Sequence, residues 1–381
     1  MNRNENRLSL SLLAAAALLS LQGVACQSSK YQVTDGPVVA RTAAKDGNFT
    51  DLGNGCYLSS FNQPTQELSK TIDILFVPDT SRSVFKEREA AAEGIENFIA
   101  ALPKDVNYRV GVVLAHGGTS PLAGRLYASD KGEPAVLSSE QHSMTQIREG
   151  LRAKLTPPKG DRGSDGGEMG LYSLQQTMTT KNLREIRSQG FYRAEAALAV
   201  VFIADENDIC ATYPKGVTPV KDPNNQEPKV KARDCKNISP ERVNKTLRKL
   251  KGQQPVTIAG IIYTPSSKIE HRSKSDEWAQ ENEVGYGYLD LIMLSNGIAI
   301  DLAGGNISEG LSSIGKLAAL KLALRLEFPL QNMKVNPESV EVRVDGTPIE
   351  GFRYEPKTNQ VHLSEGGRPG SRIEVKYCKG A

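Results

Sequence analysis

"TIDILFVPDTSRSV", Thr71 to Val84, joins an almost continuous apolar run to a loop with short oxygen side chains at alternate positions, Asp79, Ser81 and Ser83. The run 71–78 lacks polar–apolar alternation, which is the pattern of a strand buried on both faces of a sheet. The next stretch, "FKEREAAAEGIENFIAAL" (85–102), places Ala91, Ile95, Phe98 and Ile99 at helical spacing. Strand, loop and helix open an α/β fold. The loop itself is either a turn that caps the helix or a set of ligands for a hard cation.

Working outward, "YRVGVVLA" (108–115), "ALAVVFIA" (197–204) and "VTIAGIIYT" (256–264) read as further buried strands. "SMTQIREGLRAKL", "EMGLYSLQQTM" and "ERVNKTLRKLKG" read as helices, and "LAGRLYAS" and "PAVLSS" as edge strands. "GYLDLIMLSNG" predicts a helix ending at Gly297, followed by a short strand "IAIDLA" and a helix "SEGLSSIGKLAALKLAL". Alternating strands and helices predict a Rossmann-like α/β domain over 67–325, a mostly parallel sheet with helices on both faces. After Leu326 the texture changes to short alternating segments separated by turn residues such as Asp345-Gly346. A small antiparallel β module is expected over 326–381, packed against the first domain.

Hydrophobic residues make up 39% of the 381 and charged ones 24%, the balance of a soluble globular chain. The net charge is only +3, with both signs intermixed, so no field steers the chain onto nucleic acid, which is not expected as a partner. The N-terminus has a basic start, an uncharged apolar segment and a small-residue end, the layout of a secretory signal over 1–25. Its end, "GVAC", resembles a bacterial lipobox, although Gly23 stands where a large aliphatic residue is usual. That resemblance implies lipidation of Cys26, a membrane anchor and, with Gln27 rather than aspartate next, the outer membrane. The alternative is plain cleavage after Ala25 and secretion. Residues 26–66 are expected to be tether and lead-in, with the polar stretch to about Gly55 as the tether.

Cys56, Cys210, Cys235 and Cys378 remain, and in an oxidising compartment they suggest two disulfides with three possible connectivities. Cys210 and Cys235 bracket one loop, so a local bridge is the simplest pairing. Cys56–Cys378 would then tie the segment ahead of the first strand to the last strand. No Cys/His spacing suggests zinc.

In its strand–loop–helix context, "DILFVPDTSRS" resembles the opening of a von Willebrand factor A domain and its metal-ion-dependent adhesion site. That family uses an Asp-x-Ser-x-Ser loop after its first strand, a threonine from a later loop and an aspartate after its fourth strand. Asp79, Ser81 and Ser83 match the first element. "RGSDGGEMGLYSL" (162–174) has the layout of the second, with Ser164 in the threonine's place and Asp165 or Glu168 as other donors. Asp205, in "IADENDIC", matches the third. Loops that follow parallel strands share one edge of the sheet, so these elements are expected to converge. The resemblance implies a divalent cation held by hard oxygens, Mg²⁺ first, with Mn²⁺ or Ca²⁺ also suited.

Two carboxylates would leave such an ion near neutral, with water or an acidic side chain of a protein partner in the open position. The function expected is a non-enzymatic, metal-dependent, adhesion-type protein-binding module anchored as a bacterial envelope lipoprotein. The alternative is a structural envelope lipoprotein that uses the fold without metal. The long insertions 206–238 and 265–286, the second holding the sole tryptophan, Trp278, should flank the metal edge and carry partner contacts. An enzyme is not expected. His116, His142, His271 and His362 read as exposed or packing residues outside any nucleophile motif, and "GSDGG" is not a Gly-x-Ser-x-Gly elbow.

Overall fold

The chain enters the fold through a hairpin, β1 (Asn48–Gly53) and β2 (Cys56–Asn62), before reaching the central strand. A computed structural model describes residues 47–158, 166–219, 227–269 and 282–380. The expected signal segment, Cys26, Ser164, Asp165, His271 and Trp278 lie outside the described residues.

The main sheet has the order β5-β4-β3-β6-β7-β8. Its strands are β3 (Thr71–Pro78), β4 (Asn107–Val112), β5 (Leu137–Ser138), β6 (Ala197–Ile203), β7 (Val256–Ile262) and β8 (Ile298–Asp301). All neighbours run parallel except β5, which is antiparallel to β4. Strand alternation sorts the apolar residues to two faces. Ile72, Ile74 and Phe76 join a core with α1 (Phe85–Ala100), α2 (Met144–Leu155) and α8 (Ile307–Ala323). Leu75 and Val77 join another with α3 (Gly170–Thr177), α4 (Thr180–Ser188), α6 (Pro240–Lys251) and α7 (Tyr288–Leu294), with α5 (Glu227–Asp234) preceding α6 in the chain. The expected α/β class, a mostly parallel sheet covered on both faces, is the one observed. Among the described residues no helix is long and apolar enough to cross a membrane.

Two expectations need correction. "LAGRLYAS" is not an edge strand: Gly124 turns the chain at φ +70, and Tyr127 N bonds to Val112 O (2.8 Å) without a ladder. Of "PAVLSS" only Leu137–Ser138 pairs. Nor is the lead-in a tether as far as Gly55. β2 pairs with the last strand, β14 (Arg372–Cys378), along its length, from Asn62↔Arg372 to Cys56↔Cys378. A turn with positive φ at Gly53, Asn54 and Gly55 folds β1 back onto β2.

The β module therefore holds residues from both ends of the described chain. One sheet has the order β1-β2-β14-β10-β11, with β10 (Glu341–Val344) and β11 (Thr347–Ile349). The other has the order β12-β13-β9, with β9 (Glu327–Pro329), β12 (Phe352–Glu355) and β13 (Gln360–Leu363). They share a core that includes Phe61, Phe328, Val361, Val375 and Tyr377, with the Phe61 and Phe328 rings 5.1 Å apart. The disulfides are Cys56–Cys378 and Cys210–Cys235. Lys321 of α8 fixes the module's position. Its Nζ donates to the carbonyls of Val256 (3.1 Å) and Ser295 (2.8 Å) and meets Glu327 of the module at 3.3 Å. Val256 begins β7, so the module docks at the N-terminal ends of the parallel strands, away from Asp79.

Candidate metal centre

β3 lies between β4 and β6, so the connections leave it in opposite directions and open a crevice at its C-terminal end. Register pairs Pro78 with Ile203, and Asp79 N donates to Ile203 O at 2.8 Å. The loops carrying Asp79 and Asp205 are thereby set side by side. Asp79 is 1% exposed and Asp205 4%, each far below the usual exposure of a carboxylate. Asp79 Oδ1 accepts the Ser81 N–H at 2.5 Å, and the Ser81 and Ser83 hydroxyls lie 2.8 Å apart. Ser83 also bonds to the Asp205 side chain. Asp79 Oδ2 and Asp205 Oδ1 are buried with no hydrogen-bond partner among the described residues.

Arg88, in the first turn of α1, holds the loop from beneath. Its Nη1 donates to the carbonyls of Asp79 and Ser81, both at 2.8 Å. Burial lowers the guanidinium pKa, opposed by the negative charges of Asp79, Asp205 and Glu87. The sequence did signal it: Arg88 lies on the same helix stripe as Ala91, Ala92 and Ile95, where a charge needs a buried partner.

The glycine-rich segment reaches the same place. Thr80 N donates to Gly167 O at 3.3 Å, and Gly167, at φ +91, presses so closely on Thr80 that a side chain would collide with its hydroxyl. Ser164 is outside the described residues, but Glu168 follows directly. The carboxylates of Asp79, Glu168 and Glu206 offer oxygens that all lie within 4.8 Å of one another. Glu206, absent from the sequence-derived ligand set, is buried and hydrogen-bonded to Glu168. Burial, then the charges of Glu168 and Asp79, hold its carboxyl far above the usual range. Burial, Glu168 and Asp205 likewise raise Asp79, and burial pushes Asp205 up to about 6 against the Ser83 bond.

Two neighbours have other tasks. His116, after β4, is fully buried, with Nδ1 2.8 Å from Ser120 Oγ and Nε2 3.1 Å from Thr80 Oγ1. It is therefore a brace on the Asp79 loop, not a surface residue. Asp208 caps α3, accepting from Leu171 N and Cys210 N at 2.8 Å each, while burial takes it up to about 7. Its oxygens are committed to backbone donors. The two insertions meet beside Asp205: Tyr213 donates to Glu283 at 2.5 Å, and Glu283 N donates to Asp205 O at 2.9 Å.

The donors assembled here are carboxylate and hydroxyl oxygens, and two buried carboxylate oxygens have no hydrogen-bond partner among the described residues. Such a set fits a hard divalent cation. Asp79, Ser81, Ser83 and Asp205 are brought together, and Glu168 and Glu206 join them.

No family model and no curated protein matches the sequence. Among solved structures, a von Willebrand factor type A protein from Catenulispora acidiphila aligns at 11% identity and TM-score 0.37, over 85% of this chain and 61% of that one. The pilus adhesin SpaC from Lactobacillus rhamnosus GG, in its open conformation, aligns at 12% and 0.32, over 87% and 42%. The human COPII-coat protein Sec24c aligns at 12% and 0.33, over 86% and 42%. The chain thus spans 61% or less of the length of these structures. Likenesses this weak leave the description of the fold to the strand order and register given above.

Proposed function

We propose that this chain is a non-enzymatic, cation-dependent protein-binding module. One observation carries the reading: Asp79 and Asp205, both buried, present unpartnered oxygens at the crevice where Ser81 and Ser83 also point. The bound ion would supply the positive charge that these carboxylates lack and an electrophilic position open to a partner. Asp79 and Asp205 would neutralise it, the two serines would contribute hydroxyl oxygens, and Arg88 would hold the loop that presents them. If Asp79 and Asp205 were the only carboxylates at the ion, an acidic side chain of the partner would complete its shell. Contacts beyond the ion would come from the insertions joined by Tyr213 and Glu283. The lipobox-like sequence at Cys26 supports anchoring in a bacterial outer membrane.

The test is thermal unfolding of the purified protein during titration with divalent cations, beside Asp79→Ala. The wild type should be stabilised and the variant unaffected. A wild type that melts at the same temperature with and without every divalent cation would sink the reading. A pull-down with and without chelator then asks whether partner capture follows the ion.

A further inference from the structure

We infer that Glu168 and Glu206 belong to the ion's shell, making this a calcium-type centre closed by its own chain and not a magnesium site completed by a partner's carboxylate. The inference rests on the cation-dependent reading above and replaces the partner's carboxylate with the chain's own. Three carboxylates, those of Asp79, Glu168 and Glu206, have oxygens within 4.8 Å of one another. Oxygens so grouped can share one cation, and three carboxylates already exceed the about one or two that hold a magnesium ion, which suits calcium. Asp79 belongs to this group, its Oδ2 has no hydrogen-bond partner among the described residues and it is 1% exposed, so the cluster is not a patch of surface acids.

Ligand number points the same way. Asp79, Glu168, Asp205 and Glu206 with Ser81 and Ser83 give six side chains with oxygen donors, some able to bind through two atoms. Calcium takes about six to eight oxygens in flexible geometry, while magnesium keeps several waters and is held by about one or two carboxylates. With its shell filled by the chain's own oxygens, the ion keeps no position for a partner's carboxylate.

The test is calorimetric titration of the purified full chain, stripped with chelator, with calcium alone and with magnesium alone. Wild type, Glu168→Gln, Glu206→Gln and Asp79→Ala are compared, with circular dichroism and urea midpoints to confirm folding. Calcium should bind the wild type at least tenfold more tightly than magnesium. Each glutamine variant should stay folded, lose tenfold or more in calcium affinity and narrow the preference. Equal affinity for the two ions, or wild-type calcium affinity in either glutamine variant, overturns the inference. If that binding still depends on Asp79, the cation-dependent reading stands. No binding of either ion by the wild type overturns both. Should one glutamine variant fail to fold, the other variant and the wild-type ion preference decide.

Discussion

The two ends of the main sheet treat buried carboxylates in opposite ways. At the N-terminal end of the strands, Asp73 accepts from Arg193 Nε and N, each at 2.8 Å, and Glu327 lies 2.5 Å from Arg248 and 3.3 Å from Lys321. Burial still keeps Asp73 above the ordinary carboxylate value, but for Glu327 the two cations outweigh burial and hold it below. At the C-terminal end, Asp79, Glu168, Asp205 and Glu206 share, among the described residues, one buried cation, Arg88, whose Nη1 donates to backbone carbonyls. One end is neutralised from within and holds the β module. The other has fewer cations than carboxylates among the described residues, and under the proposed function a bound ion supplies the remainder.

The contrast breaks if charges at the two ends respond alike. The largest effect is expected at the matched end: Arg193→Met leaves Asp73 buried without its main partner and should cost about 3–5 kcal/mol in urea unfolding. A loss below about 1 kcal/mol would mean that Asp73 is not neutralised by this arginine. Next comes the external charge. A cation at about 100 times its Kd should stabilise the wild type by about 2.7 kcal/mol and Asp79→Ala not at all, read as melting shifts with and without chelator.

A smaller, pH-dependent effect belongs to the matched end. Burial pushes His362 down to about 4, with Arg353 2.9 Å from its Nδ1. Between pH 6.5 and about 4 the unfolded chain binds a proton at this position that the folded chain excludes, so stability falls as pH falls. The slope is at most about 1.4 kcal/mol per pH unit, and denaturation at several pH values should show it flattened in His362→Gln. The smallest effect sharpens the comparison most. In chelator, Asp79→Asn removes a like charge while keeping Oδ1, so stability should rise or stay within about 1 kcal/mol of wild type. A clear loss in the melting curve would show that Asp79 is neutralised inside the chain.

Legibility followed the same physics. β3, β6 and β7 were readable because a strand buried on both faces needs an uninterrupted apolar run. β2 was not, since its buried positions include Ser59, whose hydroxyl is matched by Tyr377 at 3.0 Å, and serine in a polar lead-in reads as linker. β1 is exposed at every position and leaves no apolar alternation to read. At the centre, Asp79, Ser81 and Ser83 stand out as alternate oxygens after a buried strand, and Asp205 is named through the resemblance to a von Willebrand factor A domain. Glu206 could not be named, because a glutamate after an aspartate in a turn looks solvated until the insertions fold over it. In the sequence His116 reads as surface or packing, for want of any local signal of its contact with Thr80, 36 positions earlier.

The hairpin that brings the chain into the fold also determines how it would carry tension. From Gly47 the backbone runs through β1 and β2, past hydrogen bonds to Arg325 and to Leu322 of α8, into β3 and arrives at Asp79. A partner held at the Asp79 edge and a pull on the chain ahead of Gly47 would therefore load a short path of three strands. β3 is clamped by parallel neighbours on both sides, so its hydrogen bonds would be strained together in shear instead of opening one at a time. Cys56–Cys378 bolts β2 to β14, so the covalent bridge would keep this strand in register while β3 takes the shear.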